Sequence, residues 1–279
     1  MTLVDLDIRP KADGDYSRVA VVTLNDPSRR NALSSALVAD LLQAIDTAEG
    51  SSEVGALVIT GAPPAFCAGA DLGKLAGDSS KDRSAKDAED DLRSIYAAFI
   101  RVAECSLPTI AAINGAVVGA GLNMALACDV AIAVRGVTFE SRFVRLGLHP
   151  GGGHTYLLQR AAGRQTASAL ALFGEALSAD DAVTRGLIWR CVDDDNLIDA
   201  ALSMASAAAN VPRELTTRIK QSIEATALAT TYGESVDIEL LPQLWSLEQP
   251  FFVERLTHIR AQISTSPETT TPREGVERA

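Results

Sequence analysis

The stretch Thr109–Val134, TIAAINGAVVGAGLNMALACDVAIAV, limits the folds open to this chain more than any other. It opens on an apolar run, Thr109 to Ile113, bounded by Asn114-Gly115, and reads as a buried strand. A turn of small residues follows, Gly115 to Gly121. Leu122 to Cys128 is rich in good helix formers. Asp129 punctuates it, and Val130 to Val134 reads as a second buried strand. Strand, small-residue turn, helix and strand in succession predict an α/β fold.

The turn has two readings. Gly119, Ala120 and Gly121 carry almost no side chain, so a ligand can approach their backbone. They sit where a helix begins, and its first N–H groups lack internal partners and favour negative charge. The other reading is that small residues let a helix pack closely on a sheet. A second stretch bears on the choice. Ala56–Gly61, ALVITG, reads as a buried strand and runs through Ala62-Pro63-Pro64-Ala65 into Phe66–Leu72, FCAGADL. Two small-residue turns facing each other would offer two N–H donors to one anionic oxygen.

PAFCAGADL at Pro64–Leu72 followed by AAINGAVVGAGLNMALACD at Ala111–Asp129 resembles the crotonase family, also called the enoyl-CoA hydratase/isomerase family. NDPSRRNALS at Asn25–Ser34 is similar to the family's N-terminal signature. The similarity spans Val19 to Val192 and, more loosely, the C-terminal helices. The resemblance implies a crotonase-like spiral of repeated β-β-α units over residues 1–195. A helical trimerisation region over 196–263 would follow, then a polar tail, 264–279, expected to be disordered. The implied partner is an acyl-CoA or enoyl-CoA thioester, with a homotrimer or dimer of trimers as the assembly. Coenzyme A enters as part of the substrate, with no permanently bound cofactor and no metal. Ala70 and Ala120 would supply the oxyanion N–H groups to a thioester carbonyl becoming an enolate. Ala68, Asp71 and Leu72 would lie near the adenine end of coenzyme A. Arg29 or Arg30 would touch its phosphate or ribose; on the residues alone both belong to a solvated turn. The charged segment from Leu72 to Arg93 would cover the acyl chain as a mobile loop entering a helix. Phe251 and Phe252 would fill a subunit interface or meet a neighbour's coenzyme A.

The sequence departs from the family where proton transfer is expected. Hydratases of this family use two glutamates, and the matching positions here are Asn123 and Phe143. Neither side chain exchanges a proton near neutral pH. Asn123 would hold a water or a carbonyl without exchanging protons. His149, in LGLHPGGGH, is a candidate acid or base, or a turn histidine bonded to local backbone. Glu140 is a further titratable candidate near Phe143. His154 reads as a structural first-turn helix residue, and the sequence assigns His258 no role.

Other elements follow from periodicity and punctuation. Arg18–Asn25 reads as a strand, broken at Asp26-Pro27. A helix opens near Ser34 as N-cap, with Leu37, Leu41, Leu42 and Ile45 as its apolar stripe. Further helices are predicted through Ile95, Phe99 and Val102, and over 155–162, 165–173, 180–185, 196–210, 212–229, 232–247 and 250–263. Leu187–Val192 is a short hydrophobic run.

Composition excludes some classes. Net charge is −11, which argues against a nucleic-acid partner and against an anionic membrane surface. No apolar run is long enough to suggest a membrane span, and MTLVDLDIRPKADGD lacks signal-peptide character. Cys67, Cys105, Cys128 and Cys191 have no metal or redox spacing and read as free thiols of a cytoplasmic protein. Three functions remain: a hydratase or isomerase (a lyase or isomerase) with a modified constellation; another enolate-type reaction such as isomerisation, decarboxylation or thioester hydrolysis, with His149 or Glu140 titrating; or a non-catalytic acyl-CoA carrier.

Overall fold

The computed structural model of the chain describes residues 2–9, 18–71 and 84–265. Leu72, the rest of the expected acyl-covering loop through Arg83, and the tail from Ser266 lie outside the described residues.

The strands are β1 (Val4–Ile8), β2 (Val19–Leu24), β3 (Ala56–Gly61), β4 (Ala65–Cys67), β5 (Thr109–Ile113), β6 (Ala116–Val118), β7 (Val130–Val134), β8 (Thr138–Glu140), β9 (Ala176–Ser178) and β10 (Arg190–Val192). The α-helices are α1 (Ser35–Gly50), α2 (Ala85–Ala103), α3 (Ala120–Ala127), α4 (His154–Leu172), α5 (Ala179–Thr184), α6 (Leu197–Ala209), α7 (Arg213–Thr226), α8 (Tyr232–Leu247) and α9 (Pro250–Thr265).

The β-β-α repeat is visible as β3-β4-α2, β5-β6-α3 and β7-β8-α4. The first strand of each unit enters a large sheet of order β1-β2-β3-β5-β7-β10, and the second enters a small sheet of order β4-β6-β8-β9. All neighbours in the large sheet are parallel except the antiparallel edge strand β1. A parallel sheet covered on both faces needs apolar residues at every position. This is why β3 and β5 are buried along their whole lengths. An asparagine clasps the ends of two of the parallel strands. Asn114 donates to the Gly61 carbonyl (2.7 Å) and accepts from the Gly61 N–H (3.3 Å), joining the ends of β3 and β5.

Ser34 caps α1 by accepting from the Leu37 N–H at 3.2 Å, a bond worth about 1 kcal/mol. Leu37, Leu41 and Ile45 are buried as the stripe predicts. The two helices expected on either side of Gly163 are present as α4, which bends where Gly163 takes φ 75°, ψ 171°. One expectation changes. The stretch Gly115–Gly121 is not all turn, because Ala116–Val118 pairs with both β4 and β8. The hydrophobic run Leu187–Val192 ends in the strand β10.

The chain divides into two compact units, one reaching Thr217 and the other starting at Arg218. The first extends past residue 195 because α6 buries Leu197, Ala201, Leu202, Ala205 and Ala209 against the large sheet. The second unit holds the end of α7, α8 and α9. In it Ile223 is 66% exposed and Leu241 73%. Inside that unit the Arg218 guanidinium stacks over the Trp245 ring at 4.2 Å.

Candidate active site

The site forms where the second strands of two repeats end. Beyond β4, Leu33 and Ala70 make an isolated parallel bridge. Leu33 donates to the Gly69 carbonyl (2.8 Å), and Asp71 donates to the Leu33 carbonyl (3.4 Å). Alternation along extended backbone then turns the Ala70 N–H away from Leu33. Beyond β6, Gly119 takes φ 53°, ψ −113°, a conformation open to glycine, and α3 begins at Ala120. Ala120 occupies the first helical position, where an N–H has no intrahelical acceptor. The two turns touch: a Cβ placed on Gly69 would sit 2.8 Å from the Val118 carbonyl oxygen and 3.6 Å from the Ala120 nitrogen. Among the described residues neither the Ala70 nor the Ala120 N–H has a hydrogen-bond acceptor. Both readings of the small residues hold, at different positions. Gly121 serves packing, since any Cβ there would overlap the Cys67 carbonyl, whereas Gly119 and Ala120 border a pocket.

The pocket is walled by Ala68, Gly69 and Ala70 from one turn and by Val118, Gly119, Ala120 and Asn123 from the other. Leu92, Ile95 and Tyr96 of α2 also line it, with Ser141, Arg142, Phe143, Leu146, Leu148, His149 and Gly151. Among the described residues no carboxylate lines it. Asn123 and Phe143, expected at the family's two glutamate positions, both line it.

Behind this wall runs a buried polar chain. The Asn123 amide nitrogen donates to the carbonyls of Gly151 (3.0 Å) and Gly152 (3.4 Å). That fixes the amide, so its oxygen faces His154 Nδ1 at 2.6 Å. The oxygen accepts, which puts the ring proton on Nδ1. Burial pushes the His154 pKa down to about 4, so the ring is neutral at pH 7. Its bare Nε2 then accepts from the Ser141 hydroxyl at 2.8 Å. The edge of Phe143 packs on the imidazole, with centroids 4.9 Å apart. His154 does occupy the first turn of α4, as expected, and is buried with Asn123 and Ser141. Both Asn123 amide hydrogens are committed to the 151–152 turn. The direct hold on a water or carbonyl expected of Asn123 is thereby reduced to what its oxygen can still accept.

The remaining candidates sort by place. His149 is exposed, lines the pocket, and bonds through Nδ1 to the Pro150 carbonyl (2.7 Å). Glu140 accepts from Arg142 (2.8 Å) and lines a neighbouring depression rather than this pocket. Arg29 meets Asp71 at 3.4 Å and Asp26 at 3.9 Å, so two of the expected coenzyme A contacts stand together. Ala68 donates to the Arg30 carbonyl at 3.0 Å. The Cys67 thiol is fully buried, and burial pushes its pKa up to about 12. Among the described residues no group of three His, Cys, Asp or Glu is placed to hold a metal ion, and no helix is long and apolar enough to cross a membrane.

Sequence reasoning passed over Asn31, Tyr96, Ser141 and Arg142. Asn31 is fully buried at φ 58°. Its amide nitrogen reaches the carbonyls of Ala62 (2.9 Å), Ala65 (2.7 Å) and Phe66 (3.3 Å), and its oxygen accepts from the Asp26 N–H (2.9 Å). It thus holds the turn that delivers Ala70. Its signal was present in NDPSRRNALS, where a second asparagine follows a turn.

Comparisons with known proteins show the family and the fold. The family model described as enoyl-CoA hydratase/isomerase matches residues 14–244. EchA14 of Mycobacterium tuberculosis, a probable enoyl-CoA hydratase, is 46% identical over 246 residues, covering 85% of this chain and 92% of the relative. The 1,2-epoxyphenylacetyl-CoA isomerase of Escherichia coli K12 is 37% identical over 222 residues, covering 79% and 84%. The crystal structure of a probable enoyl-CoA hydratase/isomerase from Mycobacterium abscessus superposes with a TM-score of 0.82 at 30% identity, covering 94% of this chain and 96% of that one.

Proposed function

The chain belongs to the enoyl-CoA hydratase/isomerase family, and from that premise we propose that it processes an acyl-CoA thioester by polarising the carbonyl between the Ala70 and Ala120 N–H groups. One observation carries the reading: two small-residue turns meet at an apolar pocket, and neither N–H has an acceptor among the described residues. Charge developing on the thioester oxygen gains two fixed donors there, each worth about 3–4 kcal/mol of barrier. Coenzyme A is part of the substrate and no permanently bound cofactor takes part. Its nucleotide end lies against Arg29, Ala68 and Asp71.

Ordinary hydration by two carboxylates has no support, because Asn123 and Phe143 hold those positions. His149 at the pocket rim acts as acid or base, and Asn123 acts as a positioning residue. This favours an enolate-type reaction such as isomerisation over glutamate-driven hydration. The relative named as an isomerase is consistent with that choice. The exposed apolar side chains of α7–α9 support association into a trimer or dimer of trimers.

The test is turnover of a short 2-enoyl-CoA, followed by loss of the conjugated thioester absorbance and by product analysis for double-bond migration. Calorimetric binding of the same ligand runs beside it. Turnover abolished by Ala120→Pro supports polarisation at this site. Binding without turnover of the 2-enoyl-CoA sinks the enolate-type reading and leaves a different acyl-CoA reaction or a carrier; absence of binding sinks the acyl-CoA reading altogether.

A further inference from the structure

The hydroxyl of Ser141 is hydrogen-bonded to His154 Nε2 at 2.8 Å, and His154 Nδ1 to the Asn123 oxygen at 2.6 Å. Nucleophile, base and orienting group therefore follow one another in the order that nucleophilic hydrolases use. We propose that Ser141 is a nucleophile of this pocket and that the chain hydrolyses saturated acyl-CoA thioesters through an acyl-serine.

Three features separate this arrangement from a buried histidine that merely satisfies its nitrogens. The first is the tautomer. An orienting asparagine is useful only if its oxygen, not its nitrogen, faces the ring. Here the Gly151 and Gly152 carbonyls hold the Asn123 nitrogen on the far side, so the imidazole keeps its lone pair toward Ser141. The second is placement. Ser141 and Asn123 both line the pocket while almost fully buried, and the β8 end that carries Ser141 is tied to the Gly119 turn, where the Gly119 N–H donates to the Glu140 carbonyl at 3.1 Å. The nucleophile thus stands beside the turn that presents the Ala120 N–H. The third is Phe143. It fills the place of a carboxylate that would otherwise move protons at the substrate carbons, and it packs on His154. The inference rests on the acyl-CoA reading given above.

The chemistry balances with water as the co-reactant. Ser141 Oγ bonds to the thioester carbonyl carbon and its proton passes to His154 Nε2, while the carbonyl oxygen takes the charge between the two N–H groups. The carbonyl reforms, the C–S bond breaks, and sulfur leaves with the electron pair and takes the proton from Nε2. Water then bonds to the ester carbon, its proton passing to Nε2. The C–Oγ bond breaks and the proton returns to Oγ. Nothing is oxidised or reduced, and the products are a carboxylic acid and coenzyme A thiol.

The experiment uses the full chain with butanoyl-CoA, reading thiol release, a butanoyl adduct by peptide mass spectrometry, and labelling by a fluorophosphonate probe. Calorimetry of butanoyl-CoA binding is run on the same protein. Thiol release with a butanoyl mass on Ser141, both lost at least 100-fold in Ser141→Ala while that variant still binds butanoyl-CoA, establishes the nucleophile. His154→Gln, checked for folding by circular dichroism, should lower fluorophosphonate labelling at least tenfold. Binding without adduct, label or thiol release overturns the nucleophile and leaves the polarising reading intact. Thiol release that survives Ser141→Ala within twofold also overturns it. Labelling of Ser141 without any butanoyl-CoA binding supports the nucleophile but overturns the acyl-CoA reading beneath it.

Discussion

The two walls of the pocket are built on different principles. The wall of Ala68–Ala70 and Gly119–Ala120 is backbone: its polar groups are peptide N–H groups fixed by strand ends and a helix start. The lining of Asn123, Ser141, Phe143 and His149 beside it is side chain, with His154 buried behind. Backbone donors are positioned by the whole fold and carry no titration. The side-chain wall depends on a few amide and imidazole orientations and is open to change in reaction type. The difference teaches why a family can keep its way of binding a carbonyl while exchanging its proton chemistry.

Substitutions and pH separate the walls. The largest effect belongs to the backbone wall. Ala120→Pro deletes one donor at a first helical position where proline is tolerated, so far-ultraviolet circular dichroism should be unchanged. Turnover should fall about 10²–10³-fold. A loss under tenfold would mean that the Ala120 N–H does not meet the developing charge.

Next comes Asn31, which supports the same wall from behind. Asn31→Gly keeps the positive φ accessible but strands buried carbonyls, and urea unfolding should show a loss of about 3 kcal/mol. An unchanged midpoint would show that Asn31 does not hold the turn.

The side-chain wall should be the one that responds to acid. The folded His154 pKa is about 4 against an ordinary 6.5, so the unfolded chain binds the proton first. Stability is then intact above pH 6.5 and is lost as pH falls toward 4, by up to about 3 kcal/mol. His154→Gln should flatten that part of the curve in pH-dependent unfolding. A wild-type profile level from pH 6.5 to 4 would contradict a neutral buried imidazole.

The smallest structural effect is at the rim. His149 is exposed and bonded only to local backbone, so His149→Ala should shift stability by less than about 0.5 kcal/mol. As acid or base its loss should still slow turnover by about 10²-fold. Loss of fold in that variant, or unchanged turnover, would move the chemistry elsewhere on the side-chain wall.

Much of this molecule was legible in the chain. Runs such as Ala56–Gly61 and Thr109–Ile113 are apolar throughout because both faces of a parallel strand are covered, and that composition survives any detail of packing. The cap at Ser34 is local and was read from neighbouring residues. Gly119-Ala120 and Gly69-Ala70 could be suspected as ligand-facing because small residues at a turn leave backbone open. The three-residue strand β6 could not be read, since its partners β4 and β8 supply the pairing and lie far away in sequence.

What the sequence alone determined was the alternation of buried strands and helices, the small-residue turns, and the absence of glutamate at positions 123 and 143. Those properties follow from composition and spacing within short windows. The tertiary structure alone decided that Asn31 holds the turn before Ala70 and that Ser141, His154 and Asn123 form one chain. Each depends on which hydrogen-bond donor meets which acceptor across separate elements, and burial makes that choice binding because an unmet polar group inside the protein costs about 1–3 kcal/mol.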